Sequence, residues 1–90
     1  MENSIGSKKQ TLFLKDKELL EFDSVSSVES FDEEYLEVSS AVGIVCVEGK
    51  GLKIEALEQQ SGKIVVKGEI SGVFYKQEKT RRGLFGNIFK

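Results

Sequence analysis

The sequence predicts a small all-β domain: an antiparallel meander of about seven or eight short strands that forms a barrel or a sandwich. Three observations carry this. Segments rich in β-branched and aromatic residues recur every eight to ten positions, polar turn clusters separate them, and apolar residues alternate with polar ones within them. Ninety residues bury one core only, so a second domain is excluded.

The elements follow in order. Met1 to Lys9 is rich in Ser, Asn, Gly and Lys, and is expected to be a disordered arm. The all-β domain occupies residues 10–77, and its first strands are Gln10–Lys15 and Glu18–Phe22 around Asp16-Lys17. Val25–Glu29 follows the turn Asp23-Ser24, and Glu34–Ser39 follows Phe31-Asp32-Glu33. Val42–Glu48 and Leu52–Leu57 are separated by Gly49-Lys50-Gly51, where glycine accepts the positive φ of a hairpin. Gly62–Lys67 and Ile70–Lys76 are separated by Gly68-Glu69.

Alternation directs Leu12 and Leu14, Leu20 and Phe22, Leu36 and Val38, Ile44 and Cys46, Leu52 and Ile54, and Ile64 and Val66 inward. In the fifth strand Val45 and Val47 are apolar too, so that strand is expected to be central and covered on both faces. Gly43 and Gly72, inside apolar runs, mark a bulge or bend. A faint repeat, Val25-x-x-Val28, Ile54-x-x-Leu57 and Ile70-x-x-Val73, admits a short β-solenoid as the alternative. Its uneven spacing favours the barrel or sandwich.

Charge is distributed unevenly although the net value is only −2. From Glu18 to Glu48 there are nine acids and no Lys or Arg, whereas from Glu78 to Lys90 there are four bases and one acid. This asymmetry points to two surfaces with different partners, or to a homo-oligomer in which one surface answers the other. Residues 78–90 read as a basic amphipathic tail, with Leu84, Phe85, Ile88 and Phe89 on one helical face behind Arg81 and Arg82. Three roles suit it: a peripheral membrane contact, a peptide docking in a partner's groove, or a flap that folds back over a sheet edge or barrel mouth.

Catalytic chemistry finds little support. The chain has no histidine, so Cys46 lacks an imidazole base and reads as a buried small hydrophobe inside a strand. No glycine-rich phosphate loop or zinc spacing occurs, and no catalytic residue, cofactor or metal is assigned. Asp32, Glu33, Glu34 and Glu37 form a candidate acidic surface, but they lack the staggered ligands and turn glycine of a calcium loop. Ser30 with Glu33 has the spacing of a capping box. Phe31, just before the acids, is expected in the core rather than as a partner anchor. The lone cysteine excludes an internal disulfide, and no apolar run reaches spanning length, so a cytoplasmic location is expected.

Several of these segments together carry a likeness. Val25-Ser26-Ser27-Val28-Glu29-Ser30-Phe31-Asp32-Glu33-Glu34, Val42 to Gly49, Gly51 to Leu57, Ile64 to Tyr75 and Gly83-Leu84-Phe85-Gly86-Asn87-Ile88-Phe89-Lys90 resemble the YabP/YqfC family of sporulation proteins. The basic Leu-Phe ending fits the YabP branch better than YqfC. The resemblance runs from about Leu12 to Lys90 and departs at Ser24, where the family usually has glycine.

That resemblance implies endospore formation and a place in the mother cell, at the forespore surface. It supplies no catalytic residue or ligand. The expected function is a non-enzymatic adaptor or scaffold in spore-envelope (cortex and coat) assembly, with a membrane-associated, YabQ-like protein as partner. The alternative is a nucleic-acid-binding small β-barrel, which the acidic strands disfavour because such a barrel needs a basic groove with exposed aromatics.

Overall fold

A computed structural model of the chain describes residues 9–77, so residues 1–8 of the expected arm and the tail 78–90 lie outside the described residues. Among the described residues every regular element is a strand: β1 (Leu12–Lys15), β2 (Leu19–Phe22), β3 (Val25–Phe31), β4 (Tyr35–Ser40), β5 (Gly43–Glu58) and β6 (Lys63–Lys76). They form one antiparallel sheet in the order β1-β2-β6-β5-β4-β3. Wholly antiparallel pairing removes the solenoid alternative, whose rungs stack in parallel.

Six strands replace the expected eight because Gly49-Lys50-Gly51 and Gly68-Glu69 are bends inside β5 and β6, not turns between strands. The 16 residues of β5 would run ~50 Å if straight. The molecule extends only 37 Å along its longest principal axis, in keeping with a strand that folds over. Register shifts between Glu48 and Gly49 and between Lys50 and Lys53 mark where it does. Any β-carbon on Gly49 would collide with the Glu69 carbonyl oxygen, and one on Gly68 would lie 2.8 Å from the Gly51 oxygen. These two glycines let the backbones of β5 and β6 cross closely.

The bend turns one sheet into two layers. The first half of β5 pairs with β4 and the second half of β6, while the first half of β6 lies between β2 and the second half of β5. Leu20, Phe22, Ile64 and Val66 from one layer meet Leu36, Val38, Val45 and Val47 from the other, with Leu52 and Ile70 at the bends, in a single core. The sheet is not closed into a barrel, but backbone bonds pin the layers together. Val25 N–H donates to the Gly62 oxygen at 2.9 Å, Leu52 N–H to Glu33 at 2.9 Å, and Ile70 N–H to Lys17 at 2.8 Å.

Three details correct the expectations. In β5, Val45 and Val47 join the core, whereas Ile44 and Cys46 lie on the opposite face. Both parities are apolar there, so only the register with β4 decides. Ile44 through Val47 are nonetheless all buried, as a central strand covered on both faces requires. Leu14 is half exposed because it sits on edge strand β1.

Phe31 also leaves the core, at 45% exposed. Two bulges in β3 set Val25 opposite Ser40, Val28 opposite Val38 and Phe31 opposite Leu36, so every third residue faces one way. This explains the three-residue apolar spacing in this segment. Val25 and Val28 pack against the core, but Phe31 ends a strand beyond which the described residues place no other.

Candidate docking surface

The face of β4, β5 and β6 that points away from the core is built in three rows by the strand register. Tyr35, Glu48 and Gly72 form one row, Glu37, Cys46 and Phe74 the next, and Ser39, Ile44 and Lys76 the third. Side chains directly opposite across strands stand about 5 Å apart, so the rows make a continuous patch. Its centre is apolar and its rim is charged.

A small polar network roofs that centre. The Tyr35 hydroxyl donates to the Glu37 carboxylate at 2.8 Å, and Lys76 Nζ pairs with the same carboxylate at 2.5 Å. Beneath it Cys46 is fully buried. Hydrogen bonding with Cys46 above all, then burial and the Glu37 carboxylate, hold the Tyr35 phenol well above its ordinary range. Glu37 likewise raises Lys76. At the β3 side, Glu29 accepts from Ser27 Oγ at 2.5 Å and Ser39 Oγ at 2.9 Å, which lowers its carboxyl.

The four acids of the expected acidic surface separate into two settings. Asp32 Oδ1 accepts from the backbone N–H of Glu34 at 2.8 Å and of Tyr35 at 2.9 Å, so Asp32 closes the turn for which Ser30 and Glu33 had the capping spacing. The Glu33 and Glu34 carbonyls accept from Leu52 and Gly49, which ties this acidic crest to the bend of β5. Glu37 points elsewhere, into the network with Tyr35 and Lys76. Among the described residues, no group of three or more His, Cys, Asp and Glu side chains is arranged to hold a metal ion.

Tyr35, Glu48, Phe74 and Lys76 were not singled out by sequence, because they come together only through the order β4-β5-β6. The tail residues Arg81, Arg82, Leu84, Phe85, Ile88 and Phe89 lie outside the described residues. The opposite outer face differs in sign: Lys15, Leu19, Lys67 and Lys53 stand in one row across β1, β2, β6 and β5, with exposed Phe13 on the same side.

A two-layer bent sheet bearing organised polar surfaces is a fold-level description, and comparison with known proteins makes it specific. The sequence profile of the YabP family matches residues 6–82, which include every strand. The chain belongs to the YabP family. A curated relative, "Spore protein YabP" of Bacillus subtilis (strain 168), is 29% identical over 80 residues, covering 86% of this chain and 80% of that protein.

The departure from the YabP pattern at Ser24 now has a physical setting. Ser24 adopts φ 63°, a left-handed conformation that glycine enters without a side-chain penalty. Its hydroxyl donates to the Lys9 carbonyl at 2.8 Å and so ties down the chain entering β1.

Proposed function

We propose that this YabP-family sporulation protein acts without catalysis, as an adaptor or scaffold in spore-envelope assembly at the mother-cell face of the forespore. Family membership is the observation that carries the reading. The surfaces agree with it: a sheet of this size that leaves Phe13, Phe74 and Tyr75 each about half exposed offers aromatic anchors for other proteins. Its polar groups are engaged in turns and cross-strand ties that hold these surfaces in shape. A membrane-associated, YabQ-like protein is the partner that this role calls for.

Two measurements in sporulating cells test the role. A fluorescent fusion should form a shell around the forespore, and affinity capture of full-length protein should enrich a spore-envelope or membrane-associated sporulation protein. Diffuse fluorescence throughout the mother cell, with no such protein enriched, would overturn it. Repeating the capture with a chain ending at Gln77 assigns the contact to the sheet or to the tail.

A further inference from the structure

We propose that β1 is a docking edge for a second copy of this chain: two β1 strands pair antiparallel about a two-fold axis centred on Phe13, and the two sheets become one. The inference concerns assembly of the chain with itself and requires nothing of the spore-envelope role.

Edge chemistry is the first support. Among the described residues β1 pairs only with β2, so its far side presents unpaired backbone groups. The Lys15 carbonyl accepts from Glu18 N–H within the hairpin at 2.9 Å, and Thr11 N–H donates to Asp23 Oδ1, just past the end of β2, at 2.9 Å. Odd-numbered residues of β1 therefore turn their backbone groups toward β2, and those of Leu12 and Leu14 turn outward. The strand at the other end of the sheet, β3, is blunted by two bulges and carries Glu29, whereas β1 keeps an unbroken register with β2. On its opposite faces β1 leaves Phe13 50% and Leu14 42% exposed.

Self-complementarity is the second. An axis through Phe13 sets Phe13 against its own copy, Leu12 against Leu14 of the second copy, and Lys15 against Thr11 of the second copy. Leu12 and Leu14 then exchange their outward N–H and carbonyl groups. The two Phe13 rings take the close, non-hydrogen-bonded position, with about 4.5 Å between α-carbons, where facing side chains meet best. Moving the axis to Leu14 would set Leu12 against Asp16, which has left the strand at φ 53°. Moving it to Leu12 would set Leu14 against Gln10, whose side chain already donates to the Asp23 carbonyl at 2.7 Å.

Charge fixes the same register. It keeps the two Lys15 ammonium groups apart, and each faces the Thr11 whose N–H the Asp23 carboxylate holds. An extended lysine side chain reaches past that position, so each Lys15 meets an acid of the other copy. A two-fold interface demands a strand that answers itself, and β1 meets that demand in hydrogen bonding, apolar contact and charge.

Sedimentation equilibrium of the full-length chain, from micromolar to millimolar concentration, tests this. The native chain should show a reversible equilibrium between monomer and dimer. Phe13→Glu sets two carboxylates on the axis and should weaken the dimer about tenfold or more, whereas Phe74→Ser should leave it unchanged. A charge exchange keeps the test independent of any folding defect in Phe13→Glu, because Thr11 and Lys15 are both exposed. Thr11→Lys should weaken the dimer by repelling Lys15 of the second copy, and adding Lys15→Glu should restore it. A chain that stays monomeric throughout, a dimer that either Phe13→Glu or Thr11→Lys leaves as tight as the native one, no rescue by Lys15→Glu, or equal loss in Phe74→Ser would overturn the proposal.

Discussion

Lys76, the last residue of β6, reaches over β5 to pair with Glu37 on β4, and the bridge passes above the buried thiol of Cys46. Tyr35, two residues before Glu37 on β4, donates to the same carboxylate, so one acid ties β4 to β6 across β5. Both the tie and the patch it roofs lead to measurable behaviour.

The Tyr35 phenol gives stability an alkaline limit. In the unfolded chain it ionises near pH ~10, but in the folded chain its value is raised, so between the two the unfolded state binds fewer protons. Its contribution is fully present below about pH 10 and falls as pH climbs toward the raised value. Lys76, also raised, acts with the same sign. Urea midpoints measured between roughly pH 7 and 11 should therefore decline steeply at the alkaline end for the native chain and less steeply for Tyr35→Phe. The variant should also lose about 1 kcal/mol near neutral pH with its hydroxyl bond; parallel curves would contradict the assignment.

Ser24→Gly sets a left-handed backbone against a hydroxyl. Glycine relieves a strain of about 1 kcal/mol at φ 63° but gives up the bond to Lys9, which is exposed to water and contributes less. The melting temperature should rise by a few degrees. A fall would mean that tethering the chain before β1 matters more than backbone strain.

Gly49→Ala should be the most damaging single-methyl addition in the sheet. The new carbon meets the Glu69 carbonyl, a backbone atom that cannot rotate away. Destabilisation on the order of 3 kcal/mol is expected, read as a lowered urea midpoint. Gly51→Ala is the control: a β-carbon there meets open space, so its cost is limited to the strain of φ 60°.

Lys67→Glu tests the basic row. Lys53 and Lys67 stand directly opposite on β5 and β6, a like-charge pair that costs stability. Replacing one by an acid should stabilise by about 0.5 kcal/mol at low salt, with the gain shrinking as salt is added. No gain in dilute buffer would show that the two ammonium groups already diverge into solvent.

Legibility in the sequence varied by the kind of information each segment held. Alternating runs such as Leu36-Glu37-Val38 and Leu20-Glu21-Phe22 declare strands and their inward residues, because one apolar parity has one way to face a core. At Ile44 to Val47 both parities are apolar, so the pattern carries no answer there and only the structure places Val45 and Val47 inward. The bend at Gly49 reads in sequence as a hairpin turn and the one at Gly68 as a strand boundary, since glycine near a lysine or an acid suits either outcome locally. Asp32, Glu33, Glu34 and Glu37 looked like one surface by proximity along the chain, whereas the strand turned Glu37 toward Lys76.

What the sequence by itself determined was local and familial: an all-β chain, its turn residues, the burial of Cys46 within an apolar strand, and the YabP likeness spread over most of its length. Only the tertiary structure decided that eight segments become six strands, that the sheet bends into two layers, and that Tyr35, Glu37, Cys46, Phe74 and Lys76 share one face. The physical reason is register. Pairing between strands far apart in the chain chooses which parity faces the core, and that choice is made by backbone hydrogen bonds and packing across layers, which no single segment contains.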